Sequence, residues 1–347
     1  MILIQVESMQ NFVIGRKYNG KEITPNLNKM LKHGVVFRNI YDQTSAGSSS
    51  DALILSNCSL FPADKGTIAF HYAQNNFDSL AKILTDNGYA TMVLHAYYKT
   101  FWNFQQLDKS LGFEHRHYQD DFVKDEIIGW GLSDRSFFIQ SVDKIKSLPS
   151  PFYVLMRTLT THDPFDAVTK VVDNFPVEEL PEKSIGRYLR SMHYIDSAIG
   201  EFLQRLSKTG LLSQTVIVIY GDHRARLPQK ELLQIGVQNK EESKKVPLII
   251  SNPDWKIHDT NTTVGGLIDL APTVSTIMGI STAGKVFLGN DLGLNGPGYV
   301  IFRDGSLISP SGNTDRLSAR NKLTASDLII EKDCIPLVKQ FSAIIVK

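Results

Sequence analysis

The chain has 347 residues, 42% of them apolar, which is enough to bury a substantial core, and a length of this order suits one large domain with a smaller appendage. Its 37 basic residues nearly cancel its 36 acidic ones and no lysine or arginine block stands out, so charge supports neither a nucleic-acid nor a membrane-surface footprint; an anionic partner has to be recognised locally. Two cysteines, Cys58 and Cys334, are too few for a disulfide framework, and no apolar stretch is long enough to span a bilayer.

Met1 stands directly before an apolar run over residues 2–6, read as the first core strand, which leaves no room for a leader or anchor. The chain is therefore expected to be soluble as given or one domain of something longer. The run ends in Glu7-Ser8. A helix is predicted over residues 24–32, with Thr24 as N-cap, Pro25 in the first turn and Gly34 as its stop, followed by a strand over 35–38. After the clustered hydroxyls of residues 44–50, a helix is expected over 50–58, an amphipathic helix over 77–87 closed by Gly88, and a strand over 90–95 that ends in His95. Helical periodicity returns over 134–148. A buried strand over 152–157 then leads into Thr158-Leu159-Thr160-Thr161-His162, and the longest helix is predicted over 184–208, before Gly210. The run 216–220 stops at Gly221 and hands over to Asp222-His223; a strand over 246–251 and a helix around 272–278 follow. From Tyr299 the character changes to a hairpin, residues 299–303 and 307–308 joined through Asp304-Gly305.

Strands alternate with helices through about the first 280 residues, which predicts an α/β fold with a mainly parallel central sheet and helices on both faces. The expected division is a catalytic domain over 1–295 and a small C-terminal antiparallel subdomain over 296–347.

In such a sheet ligands gather beyond the carboxyl ends of the strands, and Glu7, Asp222 and His223 all stand at strand ends. Two carboxylates and an imidazole make a mixed oxygen and nitrogen set that suits one divalent ion, Mn²⁺ or Zn²⁺. Taken singly, Glu7 also reads as a strand-end residue paired with a base, and Asp222-His223 as a polar turn. Among the hydroxyls, Ser49 is the candidate nucleophile: a coordinated cation lowers its pKa, and the following helix N-terminus adds positive potential. The plainer alternative is a serine-rich loop with Ser50 as N-cap. His162 and His95 could hold a phosphate oxygen or move a proton, and Trp102 could form an apolar wall for a headgroup. His193, inside the long helix, reads as structural.

At these residues the sequence resembles the lipoteichoic acid synthase family, phosphoglycerol transferases of the alkaline phosphatase and sulfatase superfamily. The shared segments run in order through Val6-Glu7-Ser8, Thr24-Pro25-Asn26, Ser49-Ser50-Asp51-Ala52, Thr100-Phe101-Trp102-Asn103, His193-Tyr194, Tyr220-Gly221-Asp222-His223, Asp269-Leu270-Ala271-Pro272-Thr273 and Phe302-Arg303-Asp304-Gly305. The resemblance implies an extracytoplasmic catalytic domain, associated with the membrane through a segment absent from this chain. It implies one Mn²⁺-like ion, with Zn²⁺ or Mg²⁺ as alternatives, held by Glu7, Ser49, Asp222 and His223. Ser49 falls on the family's nucleophilic threonine, and His95, Trp102 and His162 fall on substrate-contacting positions. The implied donor is a phosphatidylglycerol-like headgroup, and the acceptor glycerol phosphate or a glycan. Besides serine for threonine, two departures stand out: Ser48 replaces a lysine, and Phe104 replaces an arginine that grips the phosphate. The formylglycine signature of true sulfatases is absent, because Ser49-Ser50-Asp51-Ala52-Leu53 has neither its proline nor its arginine. A phosphodiesterase, phosphatase or sulfatase-like hydrolase, and a non-catalytic envelope-binding domain, are the alternative readings.

Overall fold

Seven of the eight strands of the main sheet are, in chain order, β1 (Ile2–Val6), β2 (Gly34–Tyr41), β3 (Ala90–His95), β4 (His115–His117), β5 (Phe152–Arg157), β6 (Ile217–Gly221) and β7 (Lys245–Ser251). A computed structural model describes residues 1–310, apart from 64, 170–174, 178, 181–182 and 294–297, together with the strand Gly312–Thr314. The chain divides into two units. The first comprises Met1–Arg38, Tyr89–Phe101 and Glu114–Asn261, and the second Asn39–Gly88, Trp102–Phe113 and Thr262–Lys347.

Within the first unit the strand order is β2-β7-β6-β1-β5-β3-β4. From β4 through to β6 each neighbouring pair is parallel, and only the β6–β7 pair among those registered is antiparallel. The expectation of a mainly parallel sheet holds. β1, β5 and β6 are buried at every position, which is why they read as continuous apolar runs rather than alternating ones. The helix Ser184–Lys208 turns Ile185, Leu189, Met192, Ile195, Ile199, Phe202 and Leu206 into the core at helical spacing. It packs against the helix Asp134–Lys146, the rings of Phe138 and Phe202 lying 5.1 Å apart.

The helix expected over 24–32 is observed as Pro25–Met30 followed by a 3₁₀ turn, but its cap differs from the expectation. Thr24 occupies the N-cap position and sends its hydroxyl to the Val13 carbonyl at 3.1 Å. The capping group is instead the buried carboxylate of Asp196, reached across from the long helix. It accepts from Asn26 N–H at 3.0 Å, Leu27 N–H at 2.8 Å and the Asn26 side-chain amide at 2.9 Å. Local propensity could place the helix start but not a cap supplied by a distant helix.

In the second unit, the helix Ser48–Cys58 is buried from Ser50 onward. The helix expected over 77–87 is confined to Leu80–Asp86, because the Ser79 hydroxyl caps it by accepting from Lys82 N–H, and Gly88 ends it at φ +82°. The helix Leu270–Ile277 follows. The expected hairpin is present as Val300–Ile301 paired antiparallel with Leu307–Ser309, and Gly312–Thr314 adds a third strand. Tyr41, Val264, Val300 and Ile308 form a small core there, with Phe302 edge-on to Tyr41 at 6.3 Å. The remainder of the C-terminal subdomain expected over 296–347, including Cys334, lies outside the described residues. Among the described residues no helix is long and apolar enough to cross a membrane.

Replacing Asp196 by alanine strands two backbone N–H groups inside the fold. We expect a loss of roughly 2–4 kcal/mol, read as a lower urea midpoint at unchanged m value; a midpoint at the wild-type value would show that the cap is dispensable.

Candidate metal centre and active site

Glu7 and Asp222 meet through strand register. β1 and β6 run parallel with Val6 opposite Gly221, and Asp222 N–H donates to the Val6 carbonyl at 3.2 Å. The residue following each strand therefore leaves the sheet beside its neighbour. Gly221 has to be glycine, since a Cβ there would stand 2.0 Å from the Met9 carbonyl oxygen. The chain turns away after Glu7 at Ser8, which takes a left-handed φ of +58°. That turn aims Ser8 N–H at Asp222 Oδ1, 2.8 Å away, and His223 N–H donates to the same oxygen at 2.8 Å.

Glu7 is held as firmly. Its N–H donates to Thr158 Oγ1 at 2.9 Å, its carbonyl accepts from Thr161 Oγ1 at 2.7 Å, and its Oε1 accepts from Ser8 Oγ at 2.8 Å. His223 Nε2 lies 3.2 Å from Glu7 Oε1 and 3.7 Å from Asp222 Oδ2. Its Nδ1 is 3.1 Å from the Arg224 carbonyl, which can only accept, so Nε2 is the nitrogen presented to the carboxylates.

One ligand atom from each of Glu7, Asp222 and His223 falls within 4.8 Å of the other two. Two carboxylate oxygens and one imidazole nitrogen, all fixed by hydrogen bonds from behind, fit the divalent ion implied by the sequence. Burial opposes charge on Glu7, but His223, aided by His162 and the Ser8 hydroxyl, pulls its pKa down to about 2. Burial also disfavours a charged His223; Asp222 and Glu7 override it and hold the imidazole well above its usual range. In the ion-free protein the His223 proton is thus the counter-charge to the carboxylates.

His95, at the end of β3, is buried, with Nδ1 3.3 Å from the Arg157 carbonyl. Burial and then the Arg157 charge push its pKa down to about 3, so it is neutral near pH 7. His162 is half-buried on the loop after β5. The ring of Trp130 lies 4.0 Å from that of His162, with Tyr97 and Phe101 behind it at 6.4 and 6.1 Å. His193 contacts the Ile23 carbonyl at 2.9 Å, in keeping with its structural reading.

Ser49 and Trp102 belong to the second unit. Ser49 is half-buried in the first turn of the helix Ser48–Cys58, whose N-cap is Gly47 rather than Ser50; Ser50 Oγ donates to the Gly47 carbonyl at 2.8 Å. Ser48, just before it, has a left-handed φ of +41°. The loop folds around the buried Asp51 carboxylate, which accepts from Ser45 and Gly47 N–H, each at 2.9 Å. Trp102 also has positive φ, +47°, and its ring lies 5.7 Å from that of Phe70. Phe104 is buried.

Several residues that shape the first unit's site escaped the sequence reading. Asp134 holds the His162 loop by accepting from Leu159 and Thr160 N–H at 2.8 and 3.0 Å, and Tyr188 Oη donates to the Ser8 carbonyl at 3.0 Å. Trp130 sits in a turn between two-residue strands, too short to give a periodic signal.

Comparison with known proteins places the site in context. Residues 1–280 match the sulfatase family model. The chain is 32% identical to the lipoteichoic acid synthase-like protein YvgJ of Bacillus subtilis, over 97% of this chain and 56% of that protein. It is 34% identical to lipoteichoic acid synthase 1 of the same organism, over 89% of this chain and 50% of that protein. The chain thus spans about half the length of the curated relatives it matches. Among solved structures, the lipoteichoic acid synthase LtaP of Listeria monocytogenes superposes with a TM-score of 0.90 at 24% identity, covering 100% of this chain and 92% of that one. The Streptococcus pyogenes phosphoglycerol transferase GacH, solved with sn-glycerol-1-phosphate, gives 0.57 at 18% identity, covering 79% and 73%. These two likenesses speak to the fold.

An ion binding at Nε2 has to displace the His223 proton. Below the raised pKa of His223 we expect about one proton released per Mn²⁺ bound, and affinity weakening about tenfold per pH unit of acidification. Titration calorimetry in buffers of different ionisation enthalpy measures both; an ion bound without proton release would remove His223 from the ligand set. Without the ion the signs are opposite for the two groups. Stability from the raised His223 is full below the usual imidazole value and lost as pH rises through its folded value, whereas that from Glu7 is present above the usual carboxylate value and lost as pH falls toward 2.

Proposed function

The chain belongs to the sulfatase family, and on that premise we propose that it is a metal-dependent phosphoglycerol transferase of the lipoteichoic acid synthase kind. The observation that carries the reading is the convergence of Glu7, Asp222 and His223 at adjoining strand ends, in a chain whose curated relatives are named lipoteichoic acid synthases. In this reading residues 1–295 are the catalytic part and 296–347 an accessory subdomain. Glu7, Asp222 and His223, joined by Ser49, hold one divalent ion, Mn²⁺ with Zn²⁺ or Mg²⁺ as alternatives, which supplies Lewis acidity and lowers the serine pKa.

The chain's own residues then divide the work. Ser49, ionised, attacks the phosphorus of a phosphatidylglycerol-like donor; its Oγ–P bond forms as the P–O bond to the lipid alcohol breaks, and His162 passes a proton to the departing oxygen. In the second half a hydroxyl of glycerol phosphate or a glycan gives its proton to His162 and attacks phosphorus, releasing Ser49. His95 contributes as a neutral imidazole, and Trp102 as an apolar wall for the headgroup. The extracytoplasmic location implied by the resemblance belongs to the same proposal. The support for Ser49 is its position in the resemblance and its place in the first turn of a helix beside a strained serine.

One observation favours a second reading, a phosphodiesterase that uses water as acceptor: Phe104 is buried where the resemblance has an arginine for the phosphate. Both readings pass through the same Ser49 adduct.

Incubation with a phosphatidylglycerol analogue and Mn²⁺ is expected to add a phosphoglyceryl mass to the peptide containing Ser49. Chelation and Ser49→Ala should each abolish it, and His162→Gln should slow turnover by about 10²–10⁴-fold. An adduct that survives in Ser49→Ala excludes the serine, and an adduct resolved by water in the presence of glycerol phosphate and sugar acceptors favours the hydrolase.

A further inference from the structure

We propose that Trp130 is a positioning residue for His162, holding the imidazole in the orientation its proton transfers require; this rests on the role given to His162 above. The loop backbone around His162 is already fixed. Leu159 and Thr160 are tied to Asp134, Thr161 to Glu7, His162 N–H donates to the Leu159 carbonyl at 3.1 Å, and Phe165 N–H to the His162 carbonyl at 3.0 Å.

The imidazole is another matter. It is half-buried, and the hydrogen bond the ring makes is from Nδ1 to the Asp163 carbonyl, at 2.7 Å. That bond fixes chemistry: a carbonyl only accepts, so Nδ1 keeps its proton in both charge states and Nε2 is the atom that gives or takes one. Orientation needs a wall as well, because a ring on two rotatable bonds keeps several rotamers unless something packs on its face. The indole of Trp130 is that wall, its centroid 4.0 Å from the imidazole and its plane tilted by 35°.

The wall is itself built with care. Ile127–Ile128 pairs antiparallel with Gly131–Leu132, turning through Gly129 at φ +69° so that Trp130 lies at the tip. Gly131 lets the hairpin seat against the exit of β3: a Cβ there would come within 2.8 Å of the Ala96 carbonyl oxygen and 2.9 Å of the Tyr97 ring. Tyr97 and Phe101 back the indole, the latter edge-on at 80°. Trp130 remains 48% exposed, so it is not a core residue, and the half that is covered is covered by rings. Of the three, the His162 imidazole lies nearest, its centroid 4.0 Å away against 6.1 and 6.4 Å for Phe101 and Tyr97.

The test separates positioning from folding. We expect Trp130→Ala to lower kcat for Ser49-dependent turnover by about 10–100-fold while KM for the phosphatidylglycerol analogue moves less than about threefold, and Trp130→Phe, which restores an aromatic face, to recover most of the loss. Nuclear magnetic resonance gives a readout independent of turnover. The His162 ring protons, assigned by their absence in His162→Gln, should be shifted upfield by the indole in the native chain and return toward ordinary positions in Trp130→Ala. Wild-type kcat in Trp130→Ala, a change confined to KM, or unmoved His162 resonances would each overturn the proposal. Should no variant, nor the native chain, form the phosphoglyceryl adduct, the functional reading fails, while the resonances still decide whether the indole holds His162.

Discussion

The pairing of β1 with β6 is the constraint on which the candidate site depends. Both strands lie buried in the middle of the sheet, and their register is locked from inside by the Tyr220 hydroxyl, which donates to the Gln5 side-chain oxygen at 2.8 Å. A slip of one residue would reverse every side chain on the strand. It would also carry Asp222 away from Ser8 N–H and Glu7 away from His223. The close approach of Gly221 to the Met9 carbonyl reinforces the same register, because the strand can end there only without a side chain. Position, in this protein, is set by backbone pairing before any side-chain chemistry begins.

Two buried carboxylates side by side are electrostatically unfavourable unless something compensates. Here backbone N–H groups of Ser8 and His223 converge on one oxygen of Asp222, and the imidazole of His223 supplies a proton between the two acids. A divalent ion and that proton are alternative solutions to one charge problem. The backbone strain at Ser8 belongs to this arrangement, since only the left-handed turn aims its N–H at Asp222. Ser48, beside Ser49, carries strain of the same kind in the second unit.

Family membership and chemistry are separate matters in this chain. The sulfatase model covers the part that holds Glu7, Ser49, Asp222 and His223, yet the formylglycine signature of true sulfatases is missing from the serine loop. Phe104, which the resemblance sets where an arginine is expected, is buried. In the proposed reading the fold supplies the frame at the strand ends, and the loops around it decide which group is transferred.

Much was legible without coordinates, and for a local reason. Strands buried on both faces are apolar along most of their length, so β1, β3, β5, β6 and β7 announce themselves, and polar residues that interrupt such runs at their ends stand out as Glu7, His95 and Asp222-His223 did. The helix end at Gly88 was legible from a neighbour in sequence, but the start at Ser79 was not, because serines and other polar residues nearby offer competing caps, and neither was the cap that Asp196 supplies to Asn26 and Leu27 from a distant helix. Trp130 had no signal at all, its two-residue strands being too short for periodicity and its partner His162 lying on another loop. The sequence alone therefore determined the layered α/β fold and the residue types available for catalysis, because both follow from patterns over a few consecutive residues. Which carboxylate sits beside which imidazole, and which aromatic ring faces His162, only the tertiary structure decided, because those contacts arise from strand register and hairpin seating between segments far apart in the chain.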